Sequence, residues 1–178
     1  MSHEEGESGD KNLTYRWLYV SILAMKKSRE KKVVAVSGGF DPLHIGHVRM
    51  FQEAKKLGDR LVVILNNDNW LRKKKGYAFM DEVERKEIIE ALSCVDEVYT
   101  TKHPENPTDM SVCEALRKVK PDIFANGGDR VSGNVPEVAV CKELGVEMVF
   151  NVGQGGKVQS SSWLLHKFHD HAAKNGKK

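Results

Sequence analysis

The chain has 178 residues, 40% of them hydrophobic, which is enough for one domain with a substantial core. Lys and Arg number 28 and Asp and Glu 25, so the net charge is only +3. Because the basic residues are spread along the chain, this balance argues against a nucleic-acid-binding face. The three cysteines, Cys94, Cys113 and Cys141, form no CxxC pair, which predicts free thiols in a reducing compartment and no structural zinc.

Residues 1–31 are predicted to form an N-terminal tail and helix. The acidic, Gly- and Ser-containing start "MSHEEGESGDK" favours disorder and is the wrong flank for a signal peptide. The apolar run "LTYRWLYVSILAM" that follows has only 13 residues and contains Arg16, so it is too short to span a bilayer. We expect a helix that packs on the domain or on a second subunit, no membrane association, and a cytoplasmic protein.

From Lys32 the chain alternates short apolar runs with segments of helical period. Val33–Val36 and Leu61–Leu65 are predicted strands, separated by a helix that stops before Gly58. Asp81–Val95 is a predicted helix capped by Asp81, with Glu84 in the capping-box position. Further strands are predicted in "VDEVYTT", "DIFAN" and "VEMVFNV", and further helices in "MSVCEALRKV", "VPEVAVCKEL" and "SSSWLLHKFHDHAAK".

This alternation predicts an α/β fold, a Rossmann-like, doubly wound, five-stranded parallel sheet with helices on both faces. The predicted domain covers residues 32–172, followed by a disordered tail at 173–178. Ligands of such sheets bind beyond the carboxyl ends of the strands. The unusual residues fall at these ends, in 38–47, 66–76 and 126–130, which predicts the site.

The stretch "SGGFDPLHIGH" follows the first predicted strand. Gly38 and Gly39 allow a tight turn and close approach of a ligand to the backbone. Asp41 followed by Pro42 is typical of a helix start, with Asp as the cap and Pro in the first turn. The loop therefore leads into a helix N-terminus, which attracts anions.

His44 and His47 are three residues apart, so both imidazoles should lie on one face near that helix start. Two hydrogen-bond donors at a helix N-terminus suit a phosphate group whose charge grows during reaction. The stretch lacks the Gly-Lys-Ser/Thr end of a P-loop and the spaced glycines of a dinucleotide site. His-x-x-His could bind a metal, but no third ligand lies at a matching position nearby.

The stretch "GGFDPLHIGH" resembles the signature of the HxGH nucleotidyltransferases, the cytidylyltransferase-like superfamily. The resemblance covers about residues 33–165 and keeps the order of the family's further motifs. These are "LGDRLVVILNND", "ERKEIIEALSCVDEV", "KPDIFANGGDR" and "VQSSSWLL".

Within this superfamily the chain is most similar to adenylyltransferases acting on heptose 1-phosphate, and next to glycerol-3-phosphate cytidylyltransferases. The glycerol-3-phosphate enzymes usually carry Arg where this chain has Ser93, and Gly-Asp-Asp where it has Gly127-Gly128-Asp129. Both differences favour ATP over CTP. A cytidylyltransferase using CTP with glycerol phosphate or a similar alcohol phosphate remains an alternative, as does a non-catalytic nucleotide-sensing protein.

The resemblance implies attack of a substrate phosphate on the α-phosphorus of a nucleoside triphosphate, with release of pyrophosphate. The catalytic residues that it implies are His44, His47, Lys74 and Arg85. The implied nucleotide-binding residues are Gly38, Gly39, Phe40, Asn126, Gly128, Asp129, Ser160, Ser161 and Ser162. The predicted acceptor pocket contains Asn67, Asp68, Trp70 and the loop from His103 to Asp109.

The expected partners are a nucleoside triphosphate and a phosphorylated sugar or polyol, and we expect a homodimer. Mg²⁺ would accompany the triphosphate, held mostly by phosphate oxygens and water and not by a protein metal site. The C-terminal "HKFHDH" contains His166, His169 and His171. Its place near the end of the chain favours solvated histidines over a metal site.

Overall fold

The computed structural model describes residues 31–127, 136–153 and 160–175, with side chains to His171. The chain divides into two units, Met1–Lys31 and Lys32–Lys178, and the elements below all belong to the second. The tail and helix predicted before Lys32 fall in residues outside the described ranges, as do Gly128 and Asp129.

Five parallel strands form one sheet in the order β3-β2-β1-β4-β5. The strands are β1 (Val33–Gly38), β2 (Arg60–Leu65), β3 (Glu97–Thr100), β4 (Ile123–Gly127) and β5 (Glu147–Val152). The helices are α1 (Ile45–Lys55), α2 (Asp68–Lys75), α3 (Glu82–Glu90), α4 (Cys113–Val119), α5 (Val138–Leu144) and α6 (Ser161–Asn175). The predicted fold class is confirmed. None of the described helices is both long and apolar enough to cross a membrane.

The sheet has apolar side chains on both of its faces because alternate strand residues point to opposite sides. Val34 and Val36 of β1 belong to one buried cluster, which contains Phe51 of α1 and Ile89 of α3. Ala35 belongs to a second cluster, with residues of α4 and α5. Helices therefore cover both faces, as the unbroken apolar runs of the strands predicted.

The strand order reverses between β1 and β4. From β1 the chain moves outward to β2 and β3, then returns to β4 on the other side and ends at β5. The loops after β1 and β4 consequently diverge at their carboxyl ends and leave a crevice, the usual ligand position of such sheets. Gly38 ends β1 and Gly127 ends β4, so the predicted loops flank this switch point.

Helix α2 was not predicted, because the segment 66–76 reads from the sequence as a loop. Asn67 caps it through Oδ1, which accepts a hydrogen bond from the Trp70 N–H at 3.1 Å. Gly76, with φ of 86°, ends it in the left-handed conformation that glycine adopts most readily. The basic run Arg72–Lys75 therefore forms the last turn of a helix, where positive charge interacts favourably with the helix dipole.

Two predicted element ends differ from the structure. Helix α3 has the predicted cap, Asp81, but its last helical residue is Glu90 and not Val95. Helix α6 continues to Asn175, beyond the predicted start of a tail at residue 173, since the sequence after His171 favours helix.

Candidate active site

Gly38 and Gly39, at the carboxyl end of β1, lie close to the side chains of Phe40 and Leu71. A Cβ on Gly38 would lie 2.7 Å from the ring of Phe40, and one on Gly39 would lie 2.8 Å from Leu71 Cδ2. Phe40 adopts a left-handed backbone with φ of 49°, and its buried ring packs edge-on against His47 at 5.0 Å. The Cβ sides of these glycines are thus occupied by protein, and a nucleotide contact at residues 38–40 remains a prediction.

Asp41 does not cap α1, which corrects the sequence prediction. Its carboxylate is buried and accepts hydrogen bonds from the backbone N–H groups of Phe79 and Met80, both at 2.8 Å. These hydrogen bonds connect the loop after β1 to the segment before α3. The N-cap of α1 is His44 instead.

The hydrogen bonds at the start of α1 set the tautomer of both histidines. Nδ1 of His44 accepts from the Gly46 N–H at 3.2 Å, and Nδ1 of His47 accepts from the His44 N–H at 3.4 Å. A ring nitrogen that accepts carries no proton, so each neutral imidazole has its hydrogen on Nε2. Among the described residues none accepts a hydrogen bond from either Nε2, which leaves two N–H donors for a ligand.

Both imidazoles are held in the neutral form. Burial, then the neighbouring His44 and Lys75, lower the pKa of His47 from 6.5 to about 3. Burial is also the main reason that the pKa of His44 is lowered; its own backbone hydrogen bond opposes the shift and Lys75 adds to it. At neutral pH the pair therefore acts as two uncharged hydrogen-bond donors and not as proton donors.

Lys75, the residue after the predicted Lys74, lies beside the histidines, and a catalytic role for Lys74 remains a prediction. Its Nζ donates a 2.7 Å hydrogen bond to the backbone oxygen of Asp41, and its charge lowers the pKa of both imidazoles. Lys74 instead lies with Nζ 5.3 Å from the ring centroid of Trp70. Lys75 follows the buried Leu71 by one helical turn and so shares its inward face.

The sequence feature that could have indicated the position of Lys75 is Gly76, the glycine directly after it. Because Gly76 ends α2, Lys75 is the last helical residue. A helix assigned between the cap residue Asn67 and Gly76 would have placed Lys75 on the face of Leu71.

The serine run brings the start of α6 to residues 39–47, the histidine loop, which follows β1. Ser161 Oγ donates a 3.0 Å hydrogen bond to the backbone oxygen of Pro42. Ser160 Oγ accepts from the Trp163 N–H at 3.2 Å, as an N-cap does. Ser162 borders a groove together with Lys75. The predicted serines and the predicted histidines thus lie around one point, at the carboxyl end of β1.

Arg85 connects several parts of the site through contacts within the protein, and its predicted catalytic role remains a prediction. Its side chain is fully buried and forms an ion pair with Asp68 at 2.6 Å. The remaining hydrogen bonds go to the backbone oxygens of Gly39, Asn66 and Met80, at 2.6, 2.8 and 3.0 Å. One guanidinium thereby ties the ends of β1 and β2 to α2 and α3.

The residues predicted for the acceptor are mostly used within the protein. The Asn67 side chain caps α2 and donates to the His103 backbone oxygen at 2.8 Å. The indole N–H of Trp70, a buried residue, donates to the Met110 backbone oxygen at 2.8 Å. Asn67 and Trp70 thus have structural roles and Asp68 is a partner of Arg85, and acceptor contacts at these three residues remain predictions. Asn67 and Trp70 both hydrogen-bond to the loop of residues 101–112 and stabilise it.

A hydrogen-bonded relay within that loop was not predicted. The Asn67 N–H donates to Thr101 Oγ1 at 3.0 Å, and Thr101 Oγ1 lies 2.9 Å from His103 Nδ1. His103 Nε2 lies 3.0 Å from the backbone oxygen of Ser111, an acceptor, so Nε2 carries the hydrogen and Nδ1 accepts from Thr101. A cavity of about 150 Å³ lies beside this relay and also borders Asp109.

On the other side of the switch point, Asn126 is buried at the end of β4. Its Nδ2 donates to the Phe124 backbone oxygen at 3.3 Å. Gly127 next to it has no room for a side chain, because a Cβ would lie 2.5 Å from Met50 Sδ. Nucleotide contacts at Asn126, Gly128 and Asp129 remain predictions.

The pattern of the Cytidylyltransferase-like family matches residues 35–154, a stretch that contains the histidine loop and all five strand ends. The chain belongs to this family. The resemblance found in the sequence is thereby confirmed.

Curated relatives share more than a third of their aligned residues with this chain. The Bifunctional protein HldE of Syntrophotalea carbinolica is 38% identical over 146 residues, which are 81% of this chain and 28% of that protein. The protein of the same name from Citrifermentans bemidjiense is 41% identical over 128 residues, 71% of this chain and 24% of that protein. The chain thus spans about a quarter of the length of these relatives.

Solved structures show the same architecture. The lipopolysaccharide core biosynthesis protein from Thermoplasma volcanium matches with a TM-score of 0.57 and 28% identity, over 70% of this chain and 99% of that one. Pantoate-beta-alanine ligase from Francisella tularensis matches with a TM-score of 0.51 over 88% and 76% of the two chains, at 14% identity. The second match shows a shared fold alone.

Proposed function

We propose that this chain is a nucleotidyltransferase that transfers a nucleoside monophosphate from a nucleoside triphosphate to a phosphorylated sugar or polyol. The observation that carries the proposal is the pair of neutral imidazoles, His44 and His47, with free Nε2–H groups beside the Lys75 ammonium. Membership of the Cytidylyltransferase-like family supports the reaction class.

The reaction is a single in-line displacement. An oxygen of the acceptor phosphate attacks the α-phosphorus and forms the new P–O bond. The bond from that phosphorus to the bridging oxygen of the β-phosphate breaks, and its electron pair leaves on pyrophosphate. A phosphate monoester with a second pKa of about 6 is mostly dianionic at neutral pH, so the attack needs no protein base. Positioning and charge stabilisation are then the whole of the catalysis.

The histidines and Lys75 divide this task. Nε2–H groups of His44 and His47 donate to the non-bridging oxygens of the α-phosphate, where negative charge accumulates in the transition state. Lys75 supplies a full positive charge to the same group. Arg85 acts through Gly39 by fixing its carbonyl oxygen at 2.6 Å, which makes it a positioning residue.

The described residues contain no cluster of three or more acidic, histidine or cysteine side chains that could hold a metal ion. Asp41, the carboxylate within the histidine loop, accepts two backbone hydrogen bonds. The part of the chain that the structure describes therefore offers no cluster of ligands for Mg²⁺. We expect Mg²⁺ to enter as the nucleotide complex, with triphosphate oxygens and water as its ligands.

For the nucleotide we propose ATP in preference to CTP, on the strength of Ser93 and of the Gly127-Gly128-Asp129 sequence. Ser93 is an exposed residue of the turn after α3. Calorimetric titration with non-hydrolysable ATP and CTP analogues, with Mg²⁺ present, tests this. Tighter CTP binding together with faster CTP turnover would instead support the cytidylyltransferase with an alcohol phosphate as acceptor.

We also propose a cytoplasmic homodimer. The described residues Phe79 and Val83 expose 56% and 70% of their surface, which favours a partner surface near α3. Cys94, Cys113 and Cys141 are free thiols, as expected in a reducing compartment. Sedimentation of the full chain tests the dimer.

The decisive experiment is a pyrophosphate-release screen of four nucleoside triphosphates against a panel of sugar and polyol phosphates. Release that requires both substrates, and that the His47→Ala variant lacks, would support the proposal. Nucleotide binding without release from any pair would point to the sensing protein instead.

A further inference from the structure

One face of the sheet changes from apolar to polar at the carboxyl ends of β1, β2 and β4. On these strands the buried cluster that also contains residues of α4 and α5 includes Ala35, Ile64 and Phe124. Side chains two residues apart in a strand share a face. The residues two positions further on are Ser37, Asn66 and Asn126. Three neighbouring strands thus carry polar side chains on this face where the sheet ends.

Asn66 extends the pairing of β1 and β2 by one residue. Its N–H donates to the Gly38 backbone oxygen at 2.9 Å, and its own backbone oxygen accepts from Arg85 Nη1 at 2.8 Å. The same guanidinium nitrogen donates to the Gly39 backbone oxygen at 2.6 Å. Because both of its backbone groups are fixed, Asn66 is held in one position directly beside the start of the histidine loop.

The side-chain amide of Asn66 is buried with its oxygen unpartnered. Only 2% of the residue is exposed, and Oδ1 has no hydrogen-bond partner in the part of the chain that the structure describes. Buried polar atoms are nearly always hydrogen-bonded, so an exception of this kind requires an explanation. The neighbouring Asn67, by contrast, uses its side chain to cap α2 and to bind the His103 backbone oxygen. Since ligands of such sheets bind at this end, the Asn66 amide is placed to contact a substrate.

The chemistry of this face favours a hydroxyl group. Ser37 is paired with Ile64 in the sheet and so lies close to Asn66. A serine hydroxyl and an asparagine amide carry no charge, and each can both donate and accept a hydrogen bond. A ligand hydroxyl has the same two capacities, whereas a phosphate group offers mainly acceptors and a negative charge. The Asn66 position therefore suits a hydroxyl of the substrate and not its phosphate.

The distance from the histidine loop indicates which hydroxyl this is. Neighbouring strands of a sheet lie about 4.8 Å apart. An acceptor phosphate beside the loop after β1 is then about one strand spacing from the end of β2. In a sugar 1-phosphate, and equally in glycerol phosphate, the hydroxyl on the carbon next to the phosphorylated carbon lies within this distance of the phosphorus.

We propose that the Asn66 amide binds this hydroxyl, and thereby selects acceptors that carry a hydroxyl on the carbon next to the phosphorylated carbon. Ser37 supplies a second polar group on the same face. The inference rests on the proposed function and deepens it, because it names a specificity-determining residue and the acceptor group that this residue recognises. The residue differs from the three acceptor residues predicted from the sequence.

The test compares acceptors that differ by this one hydroxyl. Glucose 1-phosphate is paired with 2-deoxyglucose 1-phosphate, and glycerol phosphate with 1,3-propanediol phosphate. Calorimetry in the presence of Mg²⁺ and a non-hydrolysable analogue of ATP, or of CTP if that binds more tightly, measures binding without turnover. In at least one pair the unaltered chain should bind the hydroxylated member about 10-fold more tightly, the size of one hydrogen bond. Asn66→Leu, which is similar in shape but has no polar atoms, should abolish this difference.

A stability measurement separates this role from a structural one. Because Asn66 Oδ1 has no partner to lose, Asn66→Leu should leave the melting temperature unchanged or raise it. The matched control is Asn67→Leu, which loses the cap of α2 and the hydrogen bond to His103. This control should lower the melting temperature by about 2–4 °C.

Three results would overturn the inference. They are a preference for the hydroxylated member in neither pair, the same preference in Asn66→Leu as in the unaltered chain, and an equal fall in melting temperature in both variants. Weaker binding of the nucleotide analogue alone in Asn66→Leu would also overturn it, by pointing to the ribose hydroxyls. Discrimination that depends on Asn66, in a chain that releases no pyrophosphate from any substrate pair, would refute the proposed function and leave the Asn66 assignment standing.

Discussion

The imidazole rings of His44 and His47 lie stacked, with their centroids 3.7 Å apart and their planes 19° apart. The stack follows from their three-residue spacing at the start of α1, where each ring accepts a backbone N–H through Nδ1. Two rings at this distance repel each other when both are charged. The same geometry that places two donors together thus also keeps them neutral.

Replacing His47 by alanine should lower turnover by about 10²- to 10³-fold, the usual loss on removing one preorganised donor to a developing oxyanion. Because His47 acts as a neutral donor, His47→Gln should retain more activity than His47→Ala. Pyrophosphate release measures the rates, and circular dichroism verifies folding. Equal activity of the two variants would contradict a donor role.

The stability of the protein should fall as the pH is lowered from 6.5 towards 3. Burial, then His44 and Lys75, lower the pKa of His47 from 6.5 to about 3, so in this window the unfolded chain binds a proton that the folded chain does not. The contribution of this histidine to the free energy of unfolding is therefore fully present above pH 6.5 and declines below it. Urea denaturation at several pH values should show a shallower decline for His47→Gln.

Nuclear magnetic resonance offers a direct check on the same group. The ring resonances of His47 should not titrate between pH 5 and 8 in the ligand-free protein. A midpoint near 6.5 would show that the packing of Phe40 against the ring does not exclude water.

Among the lysines of α2, Lys75 should matter most. Lys75→Ala removes a cation beside the histidines, and kcat/KM should fall on the order of 10- to 100-fold, the size of a hydrogen bond to a charged group. Lys74→Ala removes the contact with Trp70 and should change kcat/KM by less than about 3-fold. Similar small effects in both variants would mean that the basic turn only complements the dipole of α2.

Arg85→Met should destabilise the fold by about 3–5 kcal/mol, because Asp68 loses its buried partner and keeps the exposed Arg72, and three backbone oxygens lose their donor. The matched control is Arg117→Met, which removes an exposed ion pair with Glu143 and should cost less than about 1 kcal/mol. Urea denaturation measures both. A loss of activity in Arg85→Met without a loss of stability would support Arg85 as a phosphate ligand.

The sheet could be predicted from the sequence because its strands are apolar on both faces. Short apolar runs such as Leu61–Leu65 that alternate with helical segments indicate buried strands of a parallel sheet. The histidine loop could be predicted for a similar reason, since its residue types are rare together and follow a strand directly.

Helix α2 and the roles of Asp41 and Arg85 could not be predicted, for a different reason in each case. Helix α2 has eight residues, and only Trp70 and Leu71 are buried, so it has no helical period to detect. Asp41 and Arg85 bind backbone groups that are distant in sequence, at Phe79 and Gly39 among others. No local pattern shows that a charged side chain is buried by tertiary contacts of this kind.

Lys75 is held in place before any substrate arrives. Its ammonium is hydrogen-bonded at 2.7 Å to the backbone oxygen of Asp41, a residue whose carboxylate is itself fixed by Phe79 and Met80. A free lysine loses about 0.5–1.5 kcal/mol of rotational freedom when a ligand immobilises it. Here that entropy is lost during folding, so an incoming phosphate meets an ammonium group that is already ordered. In the proposed reaction, the affinity of the site for phosphate would thus depend on the loop after β1 as much as on the lysine.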